Sequence, residues 1–241
     1  MAAKNNYDSL APFYDSVIGN NSSAKKFLTD TAKKFLPKAG DILELGCGTA
    51  ENLAIFQSKH NISGIDISAG MLREAKKKIP KGKFIQSDIS DFHLNKKFDF
   101  IFCLYDTINH LNNFKEWQGL FKSVKAHLKE NGVFIFDFNT LYKLNVLAES
   151  DIYPEFSGDD VLLLNVKKKS TNNFNWNIKY FNNTSPAKYT LMEENIHESG
   201  FDTKKVLEEV KKSFKIINTY NENFKKPAKN SLRIFCLAKM K

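Results

Sequence analysis

Two glycines one residue apart, Gly46 and Gly48, end the apolar run that begins at Asp41. Glycine lets the backbone turn tightly and approach a bound molecule without interference from a Cβ atom. A helix starting at this turn would direct free N–H groups and the positive end of its dipole toward an anionic ligand group. Dinucleotide-binding turns begin in the same way, but their third glycine falls near Glu51, where this chain has a carboxylate. A ligand with a single carboxylate and a positive charge elsewhere fits this turn better than a pyrophosphate.

Two further carboxylates follow at the ends of the next predicted strands. Asp66 lies about 20 residues after the glycines, where an acidic side chain can accept both hydroxyls of a ribose. Asp88 is placed to accept a hydrogen bond from an adenine amino group. The alternative for both is capping of a turn or helix, and for Glu44 it is a bond to loop amides. Because open parallel sheets bind ligands beyond the carboxyl ends of their strands, we expect these groups to converge.

The elements that must position these residues alternate between short apolar strands and helical patterns. We predict strands at Asp41–Leu45, Ile62–Asp66, Lys83–Gln86, Phe98–Leu104 and Gly132–Phe138, and helices near residues 50–59, 69–79 and 114–129. Asn113 with Glu116 resembles a capping box at the start of the third helix, and Asn131-Gly132 predicts its end. This alternation favours a parallel sheet covered by helices on both faces.

The pattern changes after Asn139. Residues 160–198 form three predicted extended segments, and the alternation in "NWNIKYF" is typical of a half-exposed antiparallel strand. A helix near 203–213, capped by Asp202 or Thr203, and strands near 214–220 and 231–239 are predicted to follow. Two amphipathic segments, about 5–18 and 22–36, precede the first strand. We therefore predict an antiparallel insertion into an α/β domain.

Composition restricts the class of protein. The 241 residues carry a net charge of +9, but only Arg73 and Arg233 of the 36 basic residues are arginines, and the lysines are spread along the whole chain. Such spreading indicates solvated surfaces, so we expect no stable binding of nucleic acid.

The three cysteines lie far apart, which favours buried thiols in a reducing cytoplasm over disulfides or a zinc site, and we predict no metal. The first ten residues lack an apolar leader region and no apolar run is long enough to span a bilayer, so we expect a cytoplasmic protein without membrane contact.

A set of motifs in order resembles the class I S-adenosylmethionine-dependent methyltransferases, in particular their small-molecule branch. The motifs are Glu44–Ala50, Gly64–Ser68 with Met71 and Leu72, Ser87–Ile89, and Phe98-Asp99 with its strand. The similarity covers about residues 38–139, and "YDSLAPFYD" and "RIFCLAKMK" near the two ends also resemble that branch. Ala50 departs from the pattern, since many members have glycine there. The resemblance implies a Rossmann-like, doubly wound, mostly parallel sheet of seven strands with the small antiparallel insertion, and S-adenosyl-L-methionine as cofactor.

The resemblance also implies which residues hold the cofactor. Glu44 and the backbone of Gly46 and Gly48 would hold the methionine part, and Asp66 would bind the ribose. The adenine would lie between Ile67 and Met71, with Asp88 and the backbone of Ile89 at its edge. The predicted cofactor-binding set is completed by Tyr14, Cys47 and Leu104.

Methyl transfer from a sulfonium needs little chemistry from the protein, because the leaving group is good. The protein has to align the nucleophile, exclude water and accept a proton where one must leave. We predict the catalytic groups after the fourth strand, at Tyr105, Asp106 and His110. Histidine has the better-matched ordinary pKa, although His110 can instead bond a loop carbonyl. Tyr7 and Tyr14 lie two helical turns apart, and in the family such a segment covers the cofactor as a lid; ordinary core packing is the alternative.

The predicted organisation has a cofactor-binding domain over residues 1–139 and 199–241, with residues 1–36 as a helical lid. Residues 140–198 would form an insertion that caps the acceptor side and offers a surface for a homodimer. Asn139, Trp176, Tyr180 and His197 are candidates for the acceptor pocket, with packing as the alternative for each.

We predict methyl transfer to an amine or hydroxyl of a small molecule. One alternative is an RNA- or protein-directed methyltransferase, but no RNA-binding module is evident, and "LYDT" stands where many planar-nitrogen methylators carry an Asn-Pro-Pro-Tyr-type signature. The other is a regulator that binds the cofactor without catalysis.

Overall fold

The computed structural model describes residues 7–8, 11–15, 22–36, 38–186 and 188–241. The helices are α1 (Ser22–Phe35), α2 (Ala69–Lys78), α3 (Phe114–His127), α4 (Leu141–Ala148) and α5 (Thr203–Ser213). The strands are β1 (Asp41–Leu45), β2 (Asn61–Asp66), β3 (Lys83–Gln86), β4 (Phe98–Cys103), β5 (Leu128–Asn139), β6 (Tyr153–Ser157), β7 (Asp160–Ser170), β8 (Asn173–Ser185), β9 (Lys188–Ser199), β10 (Phe214–Asn221) and β11 (Arg233–Met240). None of the described helices is both long and apolar enough to cross a membrane.

The main sheet has seven strands in the order β10-β11-β5-β4-β1-β2-β3. Strands β1 to β5 pair in parallel, and β11 runs antiparallel to both β5 and β10. Strand order reverses at β1, which lies between β2 and β4, so the loops after β1 and β4 leave the sheet on either side of a crevice. The predicted fold class, a mostly parallel doubly wound sheet, is confirmed.

Both faces of the sheet are buried, which explains why its central strands are apolar throughout. Along β5, Phe134, Phe136 and Phe138 stack in a row on the face covered by α3 and α5. Val133 and Ile135 alternate with them along the strand and point to the opposite face of the sheet. There they belong to a second hydrophobic core, which α1 covers. Helix α1 packs into this core through Leu28 and Ala32, so it forms part of the globular body.

The predicted insertion forms its own antiparallel sheet, in the order β6-β7-β8-β9. Strands β7, β8 and β9 correspond to the three predicted segments, whereas β6 and α4 were not predicted. One apolar row crosses this sheet in register, from Phe156 through Val161 and Phe181 to Leu191. Phe156 and Leu191, at the two edges of the row, are 74% and 49% exposed.

Two local predictions are wrong. The chain after the glycine turn is not a helix over 50–59 but a single 3-10 turn, Leu53–Phe56. Leu53 and Phe56 are both buried, and their spacing of three matches the repeat of a 3-10 helix. Helix α3 ends at His127, before Asn131-Gly132, because Leu128 already pairs with Phe98 in the sheet. The predicted caps are confirmed: Asn113 accepts from the Glu116 amide and Asp202 from the Lys205 amide.

Candidate functional site

The glycine turn after β1 is shaped by its neighbours on both sides. Gly46 has φ +65°, and a Cβ atom there would lie 2.2 Å from the Cγ2 atom of Thr107. This glycine therefore lets the loop after β4 pack closely against the turn. Gly48 has φ +49°, and a Cβ there would meet only Tyr14 and Met71, at 3.9 and 4.0 Å. Gly48 thus faces the more open side, where a ligand can approach the backbone.

A cavity opens between the glycine turn and the loop after β4. It is lined by Tyr14, Asp15, Lys25, Glu44, Gly46, Cys47, Gly48, Thr49, Glu51, Asn52, Leu104, Tyr105 and Thr107. Seven of the residues predicted from sequence for the cofactor or the chemistry line this one cavity: Tyr14, Glu44, Gly46, Cys47, Gly48, Leu104 and Tyr105.

Glu44 carries an unsatisfied atom in this cavity. Its side chain is 2% exposed, and its Oε1 atom accepts a hydrogen bond of 2.9 Å from the Asn52 side-chain amide. Its Oε2 atom is buried and has no hydrogen-bond partner among the described residues. Burial raises the pKa of Glu44 well above its ordinary value. Buried polar atoms are almost always hydrogen-bonded, so Oε2 is open to a further donor, and the ammonium of an amino acid would match both its charge and its size.

Asp66, at the end of β2, holds two loops together. Its Oδ2 atom accepts from the Gly48 amide and its Oδ1 atom from the Ser68 amide, both at 2.8 Å. Burial raises the pKa of Asp66, against the opposing effect of these two amides. Asp66 therefore caps the turn, which is the alternative role considered from sequence for this residue. Each carboxylate oxygen has a second lone pair, so the same geometry leaves room to accept two ribose hydroxyls.

The residues predicted for the adenine lie beyond the ends of β2 and β3. Ile67 is 41% exposed, whereas Met71 is 2% exposed and lies beside Gly48. The Asp88 side chain is exposed and accepts a hydrogen bond of 2.7 Å from the Ser90 amide, which is the turn-capping alternative. The Ile89 side chain belongs to the core, so only its backbone remains available to a ligand.

The described part of the amino-terminal segment covers this crevice. The Oδ1 atom of Asp8 accepts from the Ser68 hydroxyl and the Gly70 amide at the start of α2, both at 2.7 Å. The Tyr7 and Tyr14 rings meet edge to face, with centroids 5.9 Å apart. The rest of the predicted 5–18 segment lies largely outside the described residues. Its described residues therefore lie over the glycine turn, in the position predicted for a lid.

The charge of Glu51 is balanced by two lysines. Its carboxylate accepts from Lys25 at 2.5 Å and from Lys78 at 2.6 Å, and these lysines hold the pKa of Glu51 below its ordinary value although burial opposes them. Glu51 therefore opposes an anionic ligand less than its position in the sequence indicates.

The backbone of the two loops is strained. Ala50, Tyr105 and Asp106 have φ values of 63°, 58° and 53°, in the left-handed region. Each such non-glycine residue costs about 1–2 kcal/mol, and such strain is concentrated at functional sites. Ala50 is the position where the resembled family often has glycine, and the left-handed backbone explains that preference.

A buried ion-pair network holds Asp106 in place. The Asp106 amide donates to Asp137 at 2.7 Å, and the Arg233 guanidinium pairs with both carboxylates. Burial acts to raise the pKa of Asp106, but Arg233, Lys143 and His110 hold it below its ordinary value. Asp106 is thus an engaged carboxylate and a weak proton acceptor in this arrangement. Asp137 and the role of Arg233 were not predicted, because they lie 96 residues apart in the chain.

Tyr105 faces the cofactor side of the loop. Its hydroxyl lies 3.4 Å from the Oδ1 atom of Asn52, which bonds Glu44, and burial raises the pKa of Tyr105 to about 12. A phenol that remains protonated can donate a hydrogen bond but does not take up a proton. Tyr105 therefore supports the position of Asn52.

His110 makes the carbonyl contact considered from sequence and a second contact, with Tyr7, that was not predicted. Its Nδ1 atom lies 3.3 Å from the His197 carbonyl oxygen, and its Nε2 atom lies 3.5 Å from the Tyr7 hydroxyl. Because a carbonyl only accepts, the proton of a neutral ring is assigned to Nδ1, which makes Nε2 an acceptor that the Tyr7 hydroxyl contacts. The carbonyl bond is therefore compatible with a proton-accepting role for Nε2.

The insertion meets the main sheet next to His110. Asn109 is fully buried and donates to the carbonyls of both Asn139 and Ser199, which ties the loop after β4 to the ends of β5 and β9. The Asn139 side chain donates to the buried carboxyl of Glu198, a residue that sequence reasoning missed.

The candidate acceptor residues of the insertion divide into two groups. Tyr180 donates to Asp160 at 2.5 Å, so its hydroxyl is used within the insertion. Trp176 Nε1 and His197 Nε2 are buried and have no partner among the described residues. These two side chains retain unused hydrogen-bonding capacity.

Comparison with known proteins identifies the same core. The model of a methyltransferase domain family matches residues 42–132. The chain is 28% identical over 109 residues to the dTDP-3-amino-3,4,6-trideoxy-alpha-D-glucopyranose N,N-dimethyltransferase of Streptomyces venezuelae, covering 45% of this chain and 46% of the relative. It is 32% identical over 154 residues to the carboxy-S-adenosyl-L-methionine synthase of Campylobacter concisus, covering 60% and 62%. The chain thus matches less than two thirds of the length of these two relatives.

A solved structure matches nearly the whole chain. The crystal structure of an S-adenosylmethionine-dependent methyltransferase from Clostridium acetobutylicum superposes with a TM-score of 0.86 at 26% identity, covering 97% of this chain and 98% of that one. The similarity therefore includes the antiparallel insertion as well as the seven-stranded sheet.

Proposed function

Because the chain belongs to the class I S-adenosylmethionine-dependent methyltransferases, we propose that it methylates an amine of a small molecule. S-adenosylmethionine, when bound, supplies a methyl group on a sulfonium. The neutral thioether that remains after transfer is a good leaving group. The protein therefore has to bind the donor, align the acceptor and accept a proton.

The observation that carries the proposal is the Oε2 atom of Glu44, which lies in the cavity beside the glycine turn and has no partner in the part of the chain that the structure describes. An ammonium from the methionine part of the donor would complete the hydrogen bonding of this buried carboxylate and lower its raised pKa. Asp66 would accept the ribose hydroxyls, and Met71 with Ile67 would flank the adenine. A dinucleotide offers no cation at the position of Glu44, which supports S-adenosylmethionine over a nicotinamide cofactor.

His110 is our candidate for the proton acceptor. Its Nε2 atom faces Tyr7, and Tyr7 in turn contacts Tyr14, which lines the cofactor cavity. An acceptor that takes the place of the Tyr7 hydroxyl beside His110 would thus lie between the donor site and the insertion. Asp106 would act by positioning the loop, since Arg233 engages its carboxylate.

A small amine is favoured over a hydroxyl or a macromolecule. Three curated relatives are named as N,N-dimethyltransferases of dTDP-linked amino sugars, at 28% identity. The lysine run Lys167–Lys169 lies in β7 of the insertion, and the basic residues are spread along the whole sequence, with only two arginines among them.

We also propose that the apolar row on the insertion packs against a second copy of the chain. Exposed apolar residues in register, such as Phe156 and Leu191, make a self-complementary surface under two-fold symmetry. Light scattering should give twice the monomer mass, and Phe156→Glu should convert it to monomer. A monomeric wild-type protein would exclude the dimer.

The buried state of Cys47, Cys103 and Cys236 as free thiols supports a reducing, cytoplasmic location.

The proposed function is tested by methyl transfer into fractionated cell extract. The protein is incubated with an isotopically labelled methyl donor and with separate small-molecule, RNA and protein fractions. We expect label in the small-molecule fraction, unchanged by moderate salt. Label in RNA that falls steeply as salt rises would show binding through phosphates and would contradict the proposal.

A further inference from the structure

A buried cluster of charged groups lies where the insertion meets the loop after β4. Glu198, the penultimate residue of β9, is 2% exposed. Its Oε2 atom accepts from the Asn139 side chain at 3.1 Å, and its carboxyl group lies within hydrogen-bonding reach of Asp106. Lys143 donates to the other end of the Asn139 side chain at 2.8 Å. Two carboxyl groups from distant parts of the chain thus meet beside His110.

The charges of this cluster do not balance. It holds three carboxyl groups, Asp106, Asp137 and Glu198, against two basic groups, Arg233 and Lys143. Arg233 forms ion pairs with both aspartates, and Lys143 bonds an amide oxygen. In the described part of the chain, Glu198 has no ion pair. Burial raises the pKa of Glu198 well above its ordinary value, and the neighbouring Asp106 raises it further.

Tyr7 separates this cluster from the cofactor crevice. Its hydroxyl contacts His110, and its phenol is close enough to Asp106, Glu198 and Asp66 for each carboxylate to raise the pKa of Tyr7 beyond the effect of burial. Tyr7 belongs to the amino-terminal segment, whose Asp8 is attached to the start of α2. Tyr7 thus lies between the donor site on one side and Glu198 and His110 on the other.

We propose that Glu198 is a specificity-determining residue that selects a basic amine as the acceptor by pairing with its positive charge. The inference rests on the proposed function, and it deepens that function by assigning the amine preference to one side chain. An ammonium brought beside Glu198 supplies the cation that the cluster lacks and pairs with its carboxylate. A hydroxyl group brings no charge and leaves the imbalance unchanged. The proton that must leave nitrogen before or during transfer would pass to His110 Nε2 once the amine has displaced the Tyr7 hydroxyl from it.

The test uses the full chain saturated with S-adenosylhomocysteine, so that acceptor binding is measured without turnover. Three amines are compared with alcohols of the same skeleton: ethanolamine with ethylene glycol, benzylamine with benzyl alcohol, and glucosamine with glucose. The readout is the rise in melting temperature as each compound is titrated, which reports binding to the folded state. In the wild type we expect amines to stabilise at lower concentrations than their paired alcohols.

The decisive variant is Glu198→Gln, which keeps an oxygen for Asn139 and removes the charge. Its half-saturating amine concentration should rise about 10- to 100-fold, the range for loss of a charged hydrogen-bond partner. Glu193→Gln is the matched control, because Glu193 lies on the same strand, is exposed and bonds Asn177 across the sheet. It should bind amines as the wild type does.

Each outcome bears on one claim. Equal stabilisation by amines and alcohols in the wild type, or an unchanged amine preference in Glu198→Gln, would overturn the role of Glu198. Failure of the wild type to bind S-adenosylhomocysteine in the same assay would instead overturn the proposed function. Binding of S-adenosylhomocysteine by Glu198→Gln shows that the variant is folded.

Discussion

Replacing Glu44 by glutamine should affect cofactor binding and protein stability in opposite directions. The glutamine side chain would keep an oxygen for the Asn52 amide but would place an NH₂ donor where Oε2 now lies unpaired. In the free protein this removes a buried carboxyl group, so the melting temperature should stay the same or rise. With S-adenosylmethionine, the new NH₂ donor would face an ammonium, and a charged hydrogen bond would be lost.

The size of the binding effect follows from the geometry. Glu44 is 2% exposed, so its interaction with a cation is screened little by water. A hydrogen bond to a charged group contributes about 1.5–3 kcal/mol, which corresponds to an increase in Kd of about 10- to 150-fold. Isothermal titration calorimetry with S-adenosylmethionine and S-adenosylhomocysteine measures this change directly.

Two controls isolate the contact. Methylthioadenosine lacks the amino-acid part, so Glu44→Gln should leave its affinity unchanged. Glu51→Gln changes a carboxylate in the same cavity that is already paired with Lys25 and Lys78, so it should weaken S-adenosylmethionine much less. Our reasoning would be refuted if Glu44→Gln bound S-adenosylmethionine as the wild type does, or lost methylthioadenosine equally.

Two other predictions follow from buried carboxylates. Asp66→Ala should weaken cofactor binding by about 1–3 kcal/mol, because it leaves the ribose hydroxyls and the Gly48 amide without their acceptor; unchanged affinity by calorimetry would show that the ribose binds elsewhere. Burial raises the pKa of Glu198 above its ordinary 4.5, so the folded protein retains a proton that the unfolded chain releases. Stability should therefore fall as pH rises above that value toward the folded pKa, and Glu198→Gln should reduce this loss in melting curves recorded across pH; an equally steep loss in the variant would contradict the buried, protonated state.

The main sheet was predictable because its signals are local. Buried parallel strands are uniformly apolar and end at turn residues, so β1 and β3 were predicted at their observed bounds. The cap at Asn113 was predictable for the same reason, since it depends on residues three apart. The helix predicted over residues 50–59 was wrong, because apolar residues three apart, as at Leu53 and Phe56, suit both an α-helix and a 3-10 turn.

The chemistry of the site was only partly predictable. Glu44 and Asp66 lie at the carboxyl ends of β1 and β2, and Gly48 follows β1, so position alone brings them together. Arg233, in contrast, reaches Asp106 across 127 residues of chain, and Glu198 reaches Asn139 across 59. These contacts arise from how β11 and β9 dock onto the core. Alternation along a strand predicts which face a residue occupies but not which distant group it meets.

The transferred methyl group itself gives the most direct test of the account. The protein is incubated with ¹³C-methyl-labelled S-adenosylmethionine and a small-molecule extract from cells grown on ¹⁵N, and the product is followed by NMR. We predict a new ¹³C methyl signal split by one-bond coupling to ¹⁵N, since the methyl group would be attached to an amine nitrogen. A new methyl signal without coupling to nitrogen would place the group on oxygen or carbon and would contradict amine methylation.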